Sequence, residues 1–314
     1  MSADSGLRRV RDLAPAKVNL GLRITGQRPD GNHELESVFL PLDLGDEVEL
    51  EVAPARLSAV ALTLHPGPVE GVPGDASNLA YRAAEAFLEV AGRAGCIGSV
   101  RIRLHKRIPA AAGLGGGSSD AGVVLRSLAR LFPAALSAKA LGELALDLGA
   151  DVPFFLDPRP ARVSGIGERI EPLTGWPAFS LVLANPGLPL ATAEVFRVFD
   201  SLHLDRCLER APLDPRLLSL GPGPTRTGVD ATPALAWSHL LENDLESAAI
   251  RLCPPVARLR EQLRGAGARA VGMSGSGPTL FGIFEDREAA AAGLARADFQ
   301  PPVWARVAIT LGSR

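Results

Sequence analysis

The stretch Ile108-Pro109-Ala110-Ala111-Ala112-Gly113-Leu114-Gly115-Gly116-Gly117-Ser118-Ser119-Asp120-Ala121 joins two different periodicities. Before it, Val100, Ile102 and Leu104 alternate with Arg101, Arg103 and His105, the period-two pattern of a strand with one buried face. After it, Val124, Leu128 and Leu131 recur at helical spacing. A strand feeding a glycine loop that opens a helix is suited to bind an anion, because free backbone N–H groups and the positive helix end converge on one spot. Five glycines or hydroxyls in a row, Gly115 to Ser119, would otherwise give up backbone entropy with nothing packed in return. The loop is therefore expected to hold a nucleotide phosphate.

Two familiar phosphate loops do not fit. A Walker loop needs a lysine and a hydroxyl after its last glycine, and no lysine follows Gly117. A dinucleotide fingerprint counted from Gly113 ends on Ser118, and counted from Gly115 it ends on Asp120, so the third glycine is missing either way. That spacing argues against a dehydrogenase.

Outward from the loop the chain alternates irregularly between strands and helices, with no fixed-period repeat. Val18, Leu20, Leu22 and Ile24 predict a strand whose other face carries Lys17, Asn19, Gly21 and Arg23, either solvated or functional. Pro29-Asp30-Gly31 is a turn, and His33 just past it is a surface residue or a ligand contact. Val48, Leu50 and Val52 alternate with Glu47, Glu49 and Glu51 as a second half-exposed strand. Ser77-Asn78 caps a helix through Phe87 and Leu88 that is expected to stop at Gly92. Ser137 caps another helix that stops at Gly149, and Asp151 follows directly as a cap, a turn residue or a catalytic acid.

Asp157-Pro158-Arg159-Pro160 reads as a boundary. Beyond it lie a glycine turn at Gly165 to Glu168, a strand at Ser180 to Ala184 and a short helix at Thr192 to Phe199. A Pro/Gly-rich stretch from Leu213 to Thr232 reads as a long loop or insertion. Helices start at Asn243 to Glu246 and around Val256. Two apolar runs, Arg269 to Met273 and Thr279 to Phe284, are joined by Ser274-Gly275-Ser276-Gly277-Pro278, a second anion site or a plain tight turn. An alanine-rich helix and a strand near Trp304 to Thr310 follow.

With 33 basic and 35 acidic side chains the formal charge is -2, which gives no broad attraction to nucleic acid or anionic membrane. Any anion recognition must be local. Cys96, Cys207 and Cys253 match no metal spacing and read as buried thiols of a reducing compartment. No run approaches membrane-spanning length and Met1 to Leu13 lacks a signal-peptide core, so a cytoplasmic location is expected.

Three segments in order, Ala14 to Leu20, Pro109 to Ala121 and Gly272 to Thr279, resemble the three motifs of the GHMP kinase superfamily. Lys17 within Ala-Pro-Ala-Lys-Val-Asn-Leu, Pro29-Asp30-Gly31 before His33-Glu34-Leu35, and Leu148-Gly149-Ala150-Asp151-Val152-Pro153-Phe154 are together similar to the branch that phosphorylates 4-diphosphocytidyl-2-C-methyl-D-erythritol. The resemblance implies an α+β fold in two lobes: a ribosomal-protein-S5-domain-2-like ATP-binding and catalytic lobe over 1–157 and a ferredoxin-like GHMP lobe over 158–314. It implies transfer of the γ-phosphoryl of ATP to the 2-hydroxyl of the erythritol part, in the non-mevalonate route to isoprenoid precursors.

By the same resemblance, Asp151 is the general base and also a substrate contact, and Lys17 stabilises charge at the nucleophilic oxygen. Pro109, Ala110, Ala111, Ala112, Gly113, Leu114, Gly115, Gly116, Gly117, Ser118 and Ser119 cradle ATP, with Asn78 near the adenine or simply capping its helix. Asn19, His33, Thr192 and Phe196 face the substrate, and Ser274, Gly275, Ser276 and Gly277 form the second glycine loop. No protein motif binds metal; Mg²⁺ is expected to arrive with ATP, and Ser118 or Ser119 is its candidate ligand. A monomer or homodimer with no macromolecular partner is expected. The family usually has an aromatic residue before the histidine, where this chain has Asn32. A cytosine sandwich would lose one side there, at about 1–3 kcal/mol per stacked base. Another small-alcohol kinase of the superfamily, or a non-catalytic nucleotide-binding module, are the alternatives; the presence of Lys17 and Asp151 argues against the second.

Overall fold

The computed structural model describes residues 6–55, 58–67, 69–93, 98–202 and 241–312. The chain divides into two compact units. One comprises Met1–Ala16, Leu44–Ala110 and Gly115–Pro158; the other comprises Lys17–Asp43, Ala111–Leu114 and Arg159–Arg314. Two long strands, β1 (Arg8–Gln27) and β2 (His33–Pro54), pair with each other and contribute residues to both units.

In the first unit, β3 (Ala59–His65) runs parallel to β4 (Gly98–His105), which pairs antiparallel with Glu47 to Pro54 of β2. The period-two pattern puts Val48, Leu50, Val52, Val100, Ile102 and Leu104 in one buried cluster. Against them pack α1 (Leu79–Arg93), α2 (Gly116–Leu131) and α3 (Ala138–Leu148) through Phe87, Val124, Leu128 and Ala145. On the outer face Glu47, Glu49 and Glu51 pair with Arg9, Arg11 and Arg103. The cap assignments hold: Asn78 Oδ1 accepts from Ala80 N at 2.9 Å, and Ser137 Oγ accepts from Ala140 N at 3.2 Å. Helix α1 ends at Arg93, one residue beyond the expected stop at Gly92.

In the second unit, β5 (Ala161–Gly165) pairs antiparallel with Leu35 to Phe39 of β2 and with β6 (Arg169–Pro172). A separate antiparallel sheet has the order β10-β7-β9-β8, formed by β7 (Ser180–Asn185), β8 (Ala270–Met273), β9 (Leu280–Phe284) and β10 (Trp304–Ile309). Helices α4 (Thr192–Leu202), α5 (Glu246–Leu252), α6 (Pro255–Gly265) and α7 (Arg287–Ala297) bury Val195, Ala249, Leu259, Leu263 and Ala290 in a cluster with Val182, Leu280 and Phe284.

Strands β5 and β6 are too short for a periodicity to be read in advance, whereas β3 alternates Val60, Leu62 and Leu64 with Ala61 and Thr63, a pattern legible in the sequence as a strand. The Leu213 to Thr232 stretch, Cys96 and Cys207 lie outside the described residues, and Cys253 is a buried free thiol. Among the described residues no helix is long and apolar enough to cross a membrane.

Candidate active site

In the second unit, the middle of the glycine loop meets the second glycine loop. Gly113 has φ +73°, and a Cβ there would collide with the carbonyl oxygen of Ser274 and stand 2.9 Å from that of Gly277. Only glycine permits both the dihedral and the approach. Ser274 Oγ donates to Gly113 O at 2.8 Å, and Lys17 N donates to Leu114 O at 3.0 Å. Asn243 then fastens the second loop, donating from Nδ2 to Met273 O at 2.9 Å and to Gly275 O at 2.8 Å. Ser276 Oγ lies 2.9 Å from Thr192 Oγ1, at the first residue of α4. The Ser274 to Gly277 turn thus packs against the first glycine loop and is not a free-standing hairpin.

Beneath these loops the polar face of β1 is buried, which removes the solvated reading of Lys17 and Asn19. Their exposures are 3% and 2%. Lys17 Nζ donates to Asn19 Oδ1 at 2.6 Å and lies 4.4 Å from the centre of the Phe39 ring. Asn19 Nδ2 donates in turn to Ser37 Oγ at 3.0 Å, and Ser37 Oγ to Gly21 O. A buried ammonium held by an amide and an aromatic face is oriented and suited to meet a negative ligand.

His33 and Phe196 also come together: their rings stack at 4.8 Å with 23° between planes, and Phe199 meets the imidazole edge-on at 6.1 Å. The imidazole Nε2 lies 2.7 Å from Asp200 Oδ1.

In the first unit, Pro109 and Ala110 leave β4, and the loop re-enters at Gly115, whose φ of 72° places it left-handed immediately before α2. Ala111 and Gly113 also have positive φ, at 47° and 73°. Ala112 and Leu114 are buried. No side chain caps α2 among the described residues, so the first-turn N–H groups of Gly116, Gly117 and Ser118 have no side-chain acceptor there. The hydroxyl of Ser119 is fully buried with no hydrogen-bond partner among the described residues. Such a group costs about 1–3 kcal/mol until something satisfies it.

Asp151 occupies the turn between α3 and a 3₁₀ turn at Pro153–Leu156, half-buried. That turn is seated on α2. A Cβ on Gly122 would lie 2.5 Å from Phe155 Cβ, and Arg126 Nη1 donates to Phe155 O at 3.2 Å. Asn78 caps α1 through Oδ1 on Ala80 N, and its Nδ2 donates to Pro73 O at 2.7 Å.

A buried charge cluster beneath the loop was not anticipated from the sequence. Lys106 Nζ donates to Asp46 Oδ2 at 2.5 Å and Asp120 Oδ2 at 2.6 Å. Asp46 Oδ1 accepts from the backbone of Arg107 at 2.5 Å and of Ile108 at 2.9 Å. The cluster therefore ties the entry of the loop to the first turns of α2. Burial pushes the Asp120 carboxyl up to about 7, with Lys106 pulling it down and Asp46 reinforcing the rise. Lys106 sits above its usual range because two carboxylates outweigh its desolvation. Asp120 follows the loop directly; its partners come from elsewhere in the chain, and that pairing has no local sequence signature.

Models of known families match two segments: the GHMP kinases N terminal domain over residues 78–157 and the GHMP kinases C terminal domain over 231–300. A 4-diphosphocytidyl-2-C-methyl-D-erythritol kinase of Anaeromyxobacter dehalogenans (strain 2CP-C) is 45% identical over 285 residues, 90% of this chain and 83% of that one. One of Symbiobacterium thermophilum is 41% identical over 278 residues, 87% of this chain and 90% of that one. The chain belongs to the 4-diphosphocytidyl-2-C-methyl-D-erythritol kinase family of GHMP kinases. A crystal structure of a 4-(cytidine 5'-diphospho)-2C-methyl-D-erythritol kinase superposes with a TM-score of 0.72 at 39% identity, covering 96% of this chain and all of that one. A homoserine kinase from Cytophaga hutchinsonii, at 17% identity and TM-score 0.68, shares the fold. The two-sheet α+β GHMP kinase architecture read from the motifs is borne out.

Membership makes ATP the phosphoryl donor. Gly113→Ala is expected to destabilise the protein by about 1–3 kcal/mol through overpacking. It should also raise KM for ATP at least tenfold while moving KM for the acceptor less. Thermal melting and steady-state kinetics read the two effects.

Proposed function

We propose that the protein transfers the γ-phosphoryl of ATP to the 2-hydroxyl of 4-diphosphocytidyl-2-C-methyl-D-erythritol, releasing ADP. The pathway is the non-mevalonate synthesis of isoprenoid precursors, and its setting is the cytoplasm. The observation that carries this reading is the buried Lys17–Asn19 pair on β1 beneath two glycine loops packed on each other. A fixed cation next to backbone cradles is what phosphoryl transfer requires, since its catalysis is mostly positioning and charge stabilisation.

The division of labour follows the family motifs. The 1–157 region carries the ATP cradle and the catalytic acid, and the 158–314 region supplies the second glycine loop and much of the acceptor site. Backbone N–H groups from Gly113 to Ser118 bind the ATP phosphates, that of Ser119 being held by Gly115 O at 2.8 Å. Asp151 takes the proton of the attacking hydroxyl, and Lys17 stabilises the charge that develops on that oxygen. Asn19 and Thr192 hold the acceptor, and His33 with Phe196 receives the cytosine. Mg²⁺, bound with the nucleotide, would neutralise phosphate charge. The unpartnered, buried hydroxyl of Ser119 is a hard oxygen donor of the type this ion takes, and Ser118 is the adjacent alternative.

A coupled ADP-release assay with Mg-ATP and the cytidine diphosphate substrate tests the reading. Turnover with that acceptor, and none with mevalonate or homoserine, is the expected result. The reverse pattern would overturn the acceptor assignment and leave a kinase of another specificity.

A further inference from the structure

We infer that Asp200 is a specificity-determining positioning residue, which fixes the proton of His33 on Nε2 so that Nδ1 faces the nucleobase as an acceptor and selects cytosine over uracil. The inference rests on the proposed cytidine substrate and adds a residue and a rule of discrimination to it.

Asp200 lies in the last turn of α4, one turn beyond Phe196 and adjacent to Phe199. Residues four apart share a helix face, so Phe196 and Asp200 both address the ring of His33. Phe196 stacks on the ring at 4.8 Å, Phe199 closes one edge at 6.1 Å, and Asp200 Oδ1 lies 2.7 Å from Nε2. His33 follows the Pro29-Asp30-Gly31 turn on the opposite element, and its side chain is only 9% exposed. The ring is therefore immobilised by three side chains of one helix.

A carboxylate oxygen can only accept a hydrogen bond, so Nε2 must carry a proton. In the neutral imidazole the other nitrogen is then an acceptor, and which nitrogen is protonated is set by the partner of the first. Cytosine offers an exocyclic amine as donor where uracil offers a carbonyl oxygen as acceptor. An Nδ1 acceptor pairs with the first and leaves two acceptors opposed with the second. A site that must leave polar groups unpaired discriminates far more strongly than one that merely loses contact area. Asp200, 44% exposed and outside the loops, acts wholly through the histidine.

Long-range ¹H–¹⁵N spectra of the wild-type protein, labelled at histidine, report which nitrogen of His33 carries the proton. The Nε2–H form is expected, and the Nδ1–H form would overturn the inference. Asp200→Ala is expected to give a mixture of tautomers. It should lower the preference for the cytidine over the uridine form of the acceptor, measured as the ratio of kcat/KM values, by at least tenfold, with KM for ATP changed less than twofold. Asp200→Asn keeps an oxygen at the same reach and should retain the preference within threefold. An Asp200→Ala enzyme that stays folded with its preference intact, or a wild type that turns over both acceptors equally, would sink the assignment. A wild type that turns over neither would instead remove the substrate reading on which it rests.

Discussion

Asp151→Asn is expected to lower kcat by about 10²–10⁴-fold, the usual loss when an acid–base group is removed, and to leave ATP affinity within threefold. The amide is isosteric with the carboxylate but cannot accept the hydroxyl proton. The backbone of the turn is also held by contacts made by other residues. Gly149 N bonds to Ala145 O and Leu146 O, Val152 N bonds to Gly149 O at 3.0 Å, and Arg126 grips Phe155 O. A loss confined to kcat, with ATP binding retained by calorimetry, would mark Asp151 as the base. Normal turnover would remove it from that role. A large rise in KM for ATP would show that the substitution disturbs the cradle instead.

Lys106→Met is expected to have the largest effect on stability. The side chain is 4% exposed and Asp46 and Asp120 are 0% and 2% exposed, so the substitution leaves two buried carboxylates facing each other without a cation. Breaking a buried pair from one side typically costs about 3–5 kcal/mol, and denaturant unfolding should read a loss of that size. The loss should carry a kinetic signature, because Asp46 also holds the N–H groups of Arg107 and Ile108 at the loop entry. KM for ATP should rise with any residual activity.

Asp120→Asn should behave in the opposite way. Burial is the main cause that raises Asp120 from 3.8 to about 7; Lys106 opposes the rise and the second carboxylate, Asp46, adds to it. A raised carboxyl means that the native state keeps a proton the unfolded chain releases. Its contribution is complete below pH 3.8 and is lost as the pH rises to about 7. The wild type should therefore lose stability across that window, while Asp120→Asn flattens the loss and is at least as stable at pH 8. Unfolding free energies at pH 5 and pH 8 for both proteins decide it. A steeper pH dependence in the variant would contradict the cluster's charge balance.

Much of the site is legible in the sequence because its recognition elements are local. The spacing of Gly113, Gly115, Gly116 and Gly117 is complete within a few positions and by itself excludes the Walker and dinucleotide loops. Helix caps at Asn78 and Ser137 are legible for the same reason, since each side chain bonds the N–H two or three residues ahead. Gly92 marks the end of α1 to within one residue for the same local reason. Strand β3 shows its alternation locally, but its partner β4 lies outside its own neighbourhood.

What the sequence by itself determined is the loop, the order of the three motifs and hence the family. Each of these is a short run of residues whose chemistry is complete within a few positions. Only the tertiary structure decided which polar residues are buried and by whom they are held. It turned Lys17 and Asn19 from one face of a strand into an oriented pair, seated Ser274 on Gly113, placed Asp46 and Asp120 around Lys106, and brought Asp200 to His33. These pairings join residues as far apart as 167 positions. Their energies depend on the exclusion of water by the packed chain, which no local pattern encodes.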